Sequence, residues 1–187
     1  MTPQIAPGRH DPEPPAQATL RTERLVLRPM RRSDQGLIEQ WAADLRVAGM
    51  TRTIPHPLPP GTTDGFVSRV LSGRDEAVHW VMDAAAHGLS DLVGMIALTP
   101  MDRGQAEIGY WVAPVVWGKG LASEAVRGLM RANPLGNSHV FGTVFQDNPG
   151  SARVLTGAGF DYIGDAEAFC VARGAVLPQW TYIRQMA

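Results

Sequence analysis

The sequence predicts an α/β domain with a mixed, mostly antiparallel sheet of about seven strands flanked by about four helices. Three observations predict it. Short apolar segments bounded by turn residues recur along the chain, as strands do. Three of them, residues 77–84, 92–100 and 106–112, follow one another across short turns, as an antiparallel meander does. A glycine turn then opens an amphipathic helix, and the strand reached through that helix should lie parallel to the one before it. With 187 residues the chain has the length of one domain and can bury a core.

Residues 1–18 are expected to form a Pro-rich arm, since five prolines fall among the first 19 residues, and residues 19–187 to form a single domain. LRTERLVLRPM (20–30) alternates Leu25 and Leu27 with polar neighbours and reads as one strand. RRSDQGLIEQWAADL (31–45) reads as a helix with Ser33 as N-cap and Leu37, Ile38 and Trp41 on one face. Four prolines make TIPHPLPPGT (53–62) a loop. TTDGFVSRVLSG (62–73) is a short helix, apolar at Phe66, Val67, Val70 and Leu71 and closed by Gly73.

The middle meander strand, LVGMIALTP (92–100), is apolar on both faces, as a strand covered on both sides should be. Over 119–132 a helix carries Leu121, Ala122, Ala125, Val126, Leu129 and Met130 in one stripe, with Arg127 and Arg131 off it. SHVFGTVFQ (138–146) is the parallel strand. DNPGSARVLTGAGF (147–160) is a helix with Asn148 as N-cap, Pro149 at its first position and Gly157 or Gly159 at its end. Two last strands are expected near 160–171 and 178–186.

Composition narrows the function classes. Apolar content of 44% and charged content of 19% are globular values. A net charge of −1 argues against a broad nucleic-acid surface. One cysteine, Cys170, excludes an internal disulfide and a Cys-rich zinc site, and its apolar setting suggests a core residue. His79 and His139 have no partner at metal-ligand spacing, so no metal is expected. No apolar run reaches membrane-spanning length, and the N-terminus lacks the apolar core of a signal peptide, so a cytoplasmic protein is expected.

The junction EIGYWVAPVVWGKGLASEA (107–125) places GKG between a strand and a helix and contains Lys119, the only lysine of the chain. Glycines there let a backbone approach a phosphate closely, and the helix N-terminus adds a positive end. A Walker-type loop is excluded because Gly120 follows Lys119. A dinucleotide fingerprint fails at Ser123, where its third glycine should stand, which leaves a nicotinamide-dependent oxidoreductase as a weak alternative. Lys119 is either a point charge for a phosphate or a solvated loop lysine. The segment WGKGLA (117–122) resembles the pyrophosphate loop of the GNAT-type N-acyltransferases, Q/R-x-x-G-x-G/A, with Trp117, Gly120 and Ala122 at its defining positions. In the same order as in the RimJ/RimL-like branch of that family, LRTERLVLRPM, IPHPLP, AEIGYWVAPVVWGKGLASEA and NPGSARVLTGAGF resemble its segments.

This resemblance implies a GNAT-like sheet whose central parallel strands splay to admit the pantetheine arm of acetyl-CoA. It implies cofactor contacts at Val112, Trp117, Gly118, Lys119, Gly120, Leu121, Ala122, Ser123, Asn148 and Ser151. Gly109 either eases such an approach or is a packing glycine. The expected activity is acetyl transfer from acetyl-CoA to a primary amine, a protein N-terminus or a small molecule, by direct attack in a ternary complex. The competing expectation is a non-catalytic module that binds or senses acyl-CoA. Dimers are common in the family, so a homodimer is among the expectations.

The chemistry needs a neutral amine, a donor for the developing oxyanion and a donor for the leaving thiolate. Glu107 is the candidate base, since a carboxylate in an apolar central strand is costly unless used or paired with an arginine. Glu124 is the runner-up, or else supports the glycine loop or a neighbouring strand. Backbone N–H groups near Ile108 to Tyr110 could polarise the thioester carbonyl. Many relatives place a tyrosine acid seven residues after the helix asparagine, but Leu155 stands there, a departure usual in the RimJ/RimL-like branch. The branch places a serine in N-x-x-S, here Ser151, which reads either as a hydrogen-bond donor to the thiol or as a helix-terminal residue. Asn148 caps the helix, contacts the pantetheine amide, or does both. His56 in the proline loop is a lesser candidate for the acceptor pocket. Trp41, Trp80, Trp111 and Trp180 are expected in the core.

Overall fold

The structure, a computed structural model, describes residues 17–186. The Pro-rich arm expected over 1–18 lies outside the described residues apart from Gln17 and Ala18. Those two run along the sheet, where Gln17 Nε2 donates to the His79 carbonyl at 2.7 Å and Ala18 accepts from Trp80 Nε1 at 2.8 Å.

Eight strands form one sheet in the order β1-β2-β3-β4-β5-β6-β8-β7. They are β1 (Leu20–Arg21), β2 (Val26–Pro29), β3 (Val78–Asp83), β4 (Gly94–Met101), β5 (Gln105–Val112), β6 (His139–Phe145), β7 (Asp161–Cys170) and β8 (Ala175–Gln185). Five helices flank it: α1 (Gln35–Ala42), α2 (Leu45–Ala48), α3 (Thr62–Leu71), α4 (Leu121–Ala132) and α5 (Pro149–Gly157). Every neighbouring pair is antiparallel except β5 and β6. The expected meander is β3-β4-β5, and the parallel step through α4 is the one expected. No helix among the described residues is long and apolar enough to cross a membrane.

Two cores sandwich the sheet. One face carries Leu27, Met82, Ile96, Leu98, Ile108 and Val140 against Leu121, Ala125, Val126, Leu129 and Met130 of α4 and Leu155 of α5. Burying each large aliphatic of that stripe contributes about 1.5–3 kcal/mol. The other face packs Val81 and Met95 against Ile38 of α1 and Val67 of α3, with Trp41, Phe66 and Trp111 at the margin. Strand β4 feeds both, Ile96 and Leu98 to one side and Met95 to the other. Trp80 is fully buried, while Trp41, Trp111 and Trp180 are partly so.

Three expectations are corrected. The single strand expected over 20–30 is a hairpin, β1 turning back on β2 with Leu20 opposite Leu27. The bend is closed locally by the Thr22 and Leu25 backbones at 2.9 Å and from outside by Glu124. The helix expected over 31–45 is broken into a short 3-10 turn, α1 and α2. Ser33 lies inside that turn rather than capping it, and Asp34 instead accepts from the Arg31 N–H at 2.7 Å. Asp34 is fixed there by Arg28, whose buried guanidinium also holds Asp83. The helix expected from 119 begins at Leu121, because Gly118 and Gly120 are left-handed with φ of 75° and 76°.

Candidate active site

Strands β5 and β6 pair only from Gln105↔His139 to Ile108↔Gly142. Beyond that point β5 stays bonded to β4 as far as Val112, and β6 stays bonded to β8 as far as Phe145. Their facing edges therefore diverge into a fork with backbone polar groups turned toward one another and no partner strand between. Gly142 stands at the vertex, where a Cβ would come within 2.8 Å of Leu155 Cδ1 and 3.3 Å of Ile108 Cγ2. Gly109, the next residue along β5, is exposed although it lies in the fifth of eight strands, and a Cβ there would meet nothing within 4 Å. The sheet is open over this residue.

The glycine turn lies at the end of the β5 arm. Among the described residues, the amides of Gly118, Gly120, Leu121, Ala122 and Ser123 bond to no other protein group, whereas Glu124 N already reaches the Gly120 carbonyl at 3.1 Å. Successive unpaired amides over a helix N-terminus form an anion cradle. The Leu121 side chain is buried in the core, so only its amide can face a ligand. Trp117 is half exposed, and its Nε1 donates to the Val112 carbonyl at 2.7 Å, tying the turn to the tip of the β5 arm. The Lys119 side chain is exposed. Its carbonyl accepts from Arg24 Nη1 at 2.9 Å, which brings a second cation beside the cradle, with Arg24 Nη2 3.6 Å from a Cβ placed on Gly120. The sequence reading missed Arg24, since its position follows from the hairpin it did not foresee.

Glu124 organises this end of the molecule. Its Oε1 accepts from Thr22 Oγ1 and Arg24 N, both at 2.6 Å, and its Oε2 from Arg24 Nε at 2.7 Å. Burial pushes its pKa up, but hydrogen bonds from Thr22 and Arg24 outweigh this and hold it below the usual glutamate range. Both oxygens are engaged in structure.

On the open face of the fork, Glu107 projects from β5 one residue before the pairing ends. Arg52 Nη2, from the loop after α2, bonds both its oxygens at 2.8 Å, and Thr143 Oγ1 of β6 donates to Oε1 at 3.0 Å. The side chain keeps 23% of its surface exposed. The carboxylate is thus held in one orientation and reachable from solvent. Arg52 and Thr143, its partners, were not foreseen because they lie 55 and 36 residues away.

On the opposite face, Tyr110 points from the β5 arm to the first turn of α5. Its hydroxyl lies 2.7 Å from Ser151 Oγ and 3.2 Å from the Ser151 carbonyl oxygen. Burial pushes Tyr110 up to about 12 against the opposing effect of its bond to Ser151. Asn148 caps α5 by accepting from the Ser151 N–H at 3.1 Å. Leu155, at the position where many relatives have tyrosine, is buried in the core.

The remaining candidates lie elsewhere. His56 is exposed and its Nδ1 lies 3.1 Å from the Ala43 carbonyl. Cys170 is buried, 3.3 Å from the Thr51 carbonyl. Among the described residues no group of three or more His, Cys, Asp or Glu side chains converges as metal ligands would.

Comparison with known proteins identifies the architecture. A family described as the acetyltransferase (GNAT) domain matches residues 24–161. An uncharacterised N-acetyltransferase, p20, of Bacillus licheniformis is 27% identical over 179 residues, which span 88% of this chain and 94% of that one. The microcin C7 self-immunity acetyltransferase MccE, solved with acetyl-CoA and AMP, superposes with a TM-score of 0.74 at 14% identity over 88% of this chain and 93% of that one. Mycobacterium smegmatis RimJ, solved with CoA-disulfide, superposes at 0.70 with 20% identity over 90% and 86% of the two chains. At such identities the structural likeness speaks for the fold, while the sequence match covers β2, both arms of the fork and the glycine turn, so this chain belongs to the GNAT acetyltransferase family.

Proposed function

We propose that the fork is the active site of an N-acetyltransferase of RimJ/RimL-like type, cytoplasmic, acting on a primary amine that is either a protein N-terminal α-amine or the amine of a small molecule. Acetyl-CoA supplies the activated acetyl group, which the amine attacks directly in a ternary complex. One observation carries the reading: two central strands separate after Ile108 and Gly142 while keeping all their other pairing, with an anion cradle at the end of one arm.

The residues fit such a ligand. The amides of Gly118, Gly120, Leu121, Ala122 and Ser123 would hold the pyrophosphate, with Lys119 and Arg24 as nearby charges. The unpaired edge of β5 up to Val112, and Asn148 at the far arm, would hold the amide-bearing arm. Backbone N–H groups of the β5 edge are the donors available to a thioester carbonyl. Glu107 would accept a hydrogen bond from the acceptor amine, directly or through water, and relay its proton to solvent. Arg52 and Thr143 fix its orientation, and its exposed face gives the proton a way to water. Ser151 would donate to the departing sulfur.

Calorimetric titration with acetyl-CoA, with CoA and NAD as controls, tests the cradle, and thiol release with a panel of amines and N-terminal peptides tests the transfer. We expect micromolar binding of acetyl-CoA and CoA, none of NAD, and thiol release with a subset of amines. Binding without release for any amine would instead favour the non-catalytic acyl-CoA-sensing module, and no binding would remove the reading.

A further inference from the structure

We infer that Tyr110 is a positioning residue for Ser151: its phenol donates to the serine hydroxyl and so turns that hydroxyl's own hydrogen into the fork, toward the sulfur of bound coenzyme A. The inference rests on the function proposed above.

The two hydroxyls lie 2.7 Å apart and share a single hydrogen between them. Two arrangements are open to them. If the phenol donates to the Ser151 carbonyl, 3.2 Å away, Ser151 must donate to the phenol and has nothing left for a ligand. If the phenol donates to Ser151 Oγ, the serine hydrogen is released. The 2.7 Å contact is made in both; the first adds only the long 3.2 Å bond, and the greater acidity of a phenol over an alcohol favours the second once a ligand can take the serine hydrogen. No other described residue hydrogen-bonds to either hydroxyl.

Placement supports the role. Tyr110 lies on the β5 arm beyond its last pairing with β6, and Ser151 lies in the first turn of α5, which follows β6. Their bond therefore spans the gap between the arms. Burial keeps the phenol protonated throughout the working range. Both hydroxyls are weaker acids than a thiol, whose ordinary value is about 8.5, so no proton crosses. A thiolate at this point is stabilised by a hydrogen bond that the phenol polarises.

The test needs no acceptor. Free CoA is bound to the wild type, Tyr110→Phe, Ser151→Ala and the double variant, and its thiol is titrated by thiolate ultraviolet absorbance with the ligand-free protein subtracted. In the wild type the bound thiol should titrate below about 8.5. Tyr110→Phe should raise it by about one pH unit, Ser151→Ala by at least as much, and the double variant no further than Ser151→Ala alone. Ser151→Thr, which keeps a hydroxyl, should retain the lowered value only while Tyr110 is present. An unchanged thiol in Tyr110→Phe, or effects that add, overturns the inference. Loss of CoA binding in Tyr110→Phe would make the hydroxyl a structural tie and also overturns it. If the wild type binds no CoA the proposed function falls first, whereas binding with an unperturbed thiol sinks only the role of Tyr110.

Discussion

Glu107 and Glu124 both stand in largely apolar stretches of sequence, and their neighbours in the fold separate their roles. Glu107 keeps one face toward solvent over the open sheet at Gly109, so Glu107→Gln should lower the transfer rate by about 10²-fold, the lower end for a general base, with acetyl-CoA affinity little changed. Steady-state kinetics beside calorimetry checks this, and an unchanged rate would remove Glu107 from the chemistry. Glu124 accepts three short bonds, so Glu124→Gln should destabilise the fold by about 1.5–3 kcal/mol in denaturant titrations. Because its folded-state pKa is lowered, this contribution is fully present above the ordinary glutamate value near 4.3 and disappears as pH falls through the lowered one. Wild-type stability should therefore fall more steeply on acidification than that of Glu124→Gln, and parallel curves would contradict the assignment. The sequence marks both carboxylates as unusual. It does not pair them, because Arg52 and Arg24 stand 55 and 100 residues away and are brought there by the fold alone.

Elements announced by local pattern were legible, and those fixed by distant contacts were not. The meander could be read because β3, β4 and β5 are short apolar segments separated by glycine-containing turns. The β1–β2 hairpin could not, since Thr22-Glu23-Arg24-Leu25 contains no turn-forming glycine, proline or asparagine and is held by α4. The glycine turn was legible as a strand-to-helix junction, because its glycines precede an apolar helical stripe, although the helix begins at Leu121 and Arg24 beside it was not foreseen. Its two left-handed glycines give an element-level expectation. Gly120→Ala imposes φ of 76° on a residue with a Cβ, costing about 1–2 kcal/mol, and weakens acetyl-CoA by disturbing the cradle. Gly36→Ala, inside α1 with open space around it, should instead stabilise by about 0.4–1 kcal/mol and leave binding alone. Thermal denaturation and calorimetry of the two variants side by side test this. Equal behaviour would mean that the turn's left-handed geometry does not shape the cradle.

At the scale of the whole molecule the fork divides the sheet into two blocks, β1 to β5 and β6 to β8, joined through four paired residues on each strand and through α4 and α5. On the proposed function, a ligand lying between the arms would satisfy backbone edges that neither block can satisfy for the other, and its phosphates would engage amides that the protein leaves unpaired. It binds the native state alone, since neither the fork nor the cradle exists in the unfolded chain. Binding must then raise thermal stability by mass action, about 2.7 kcal/mol at 100 times the dissociation constant. A domain of this size gains about 2–4 °C per kcal/mol, so saturating acetyl-CoA should raise Tm by about 5–10 °C. CoA should do nearly the same, because it carries the same phosphates and pantetheine arm, and NAD should do nothing. In Gly120→Ala the shift at equal ligand concentration should shrink by the affinity lost, whereas in Glu107→Gln it should persist, since that carboxylate lies on the acceptor side. A shift that NAD reproduces would assign the cradle to phosphates in general, and a shift abolished by Glu107→Gln would move that residue from the chemistry to the binding of the cofactor.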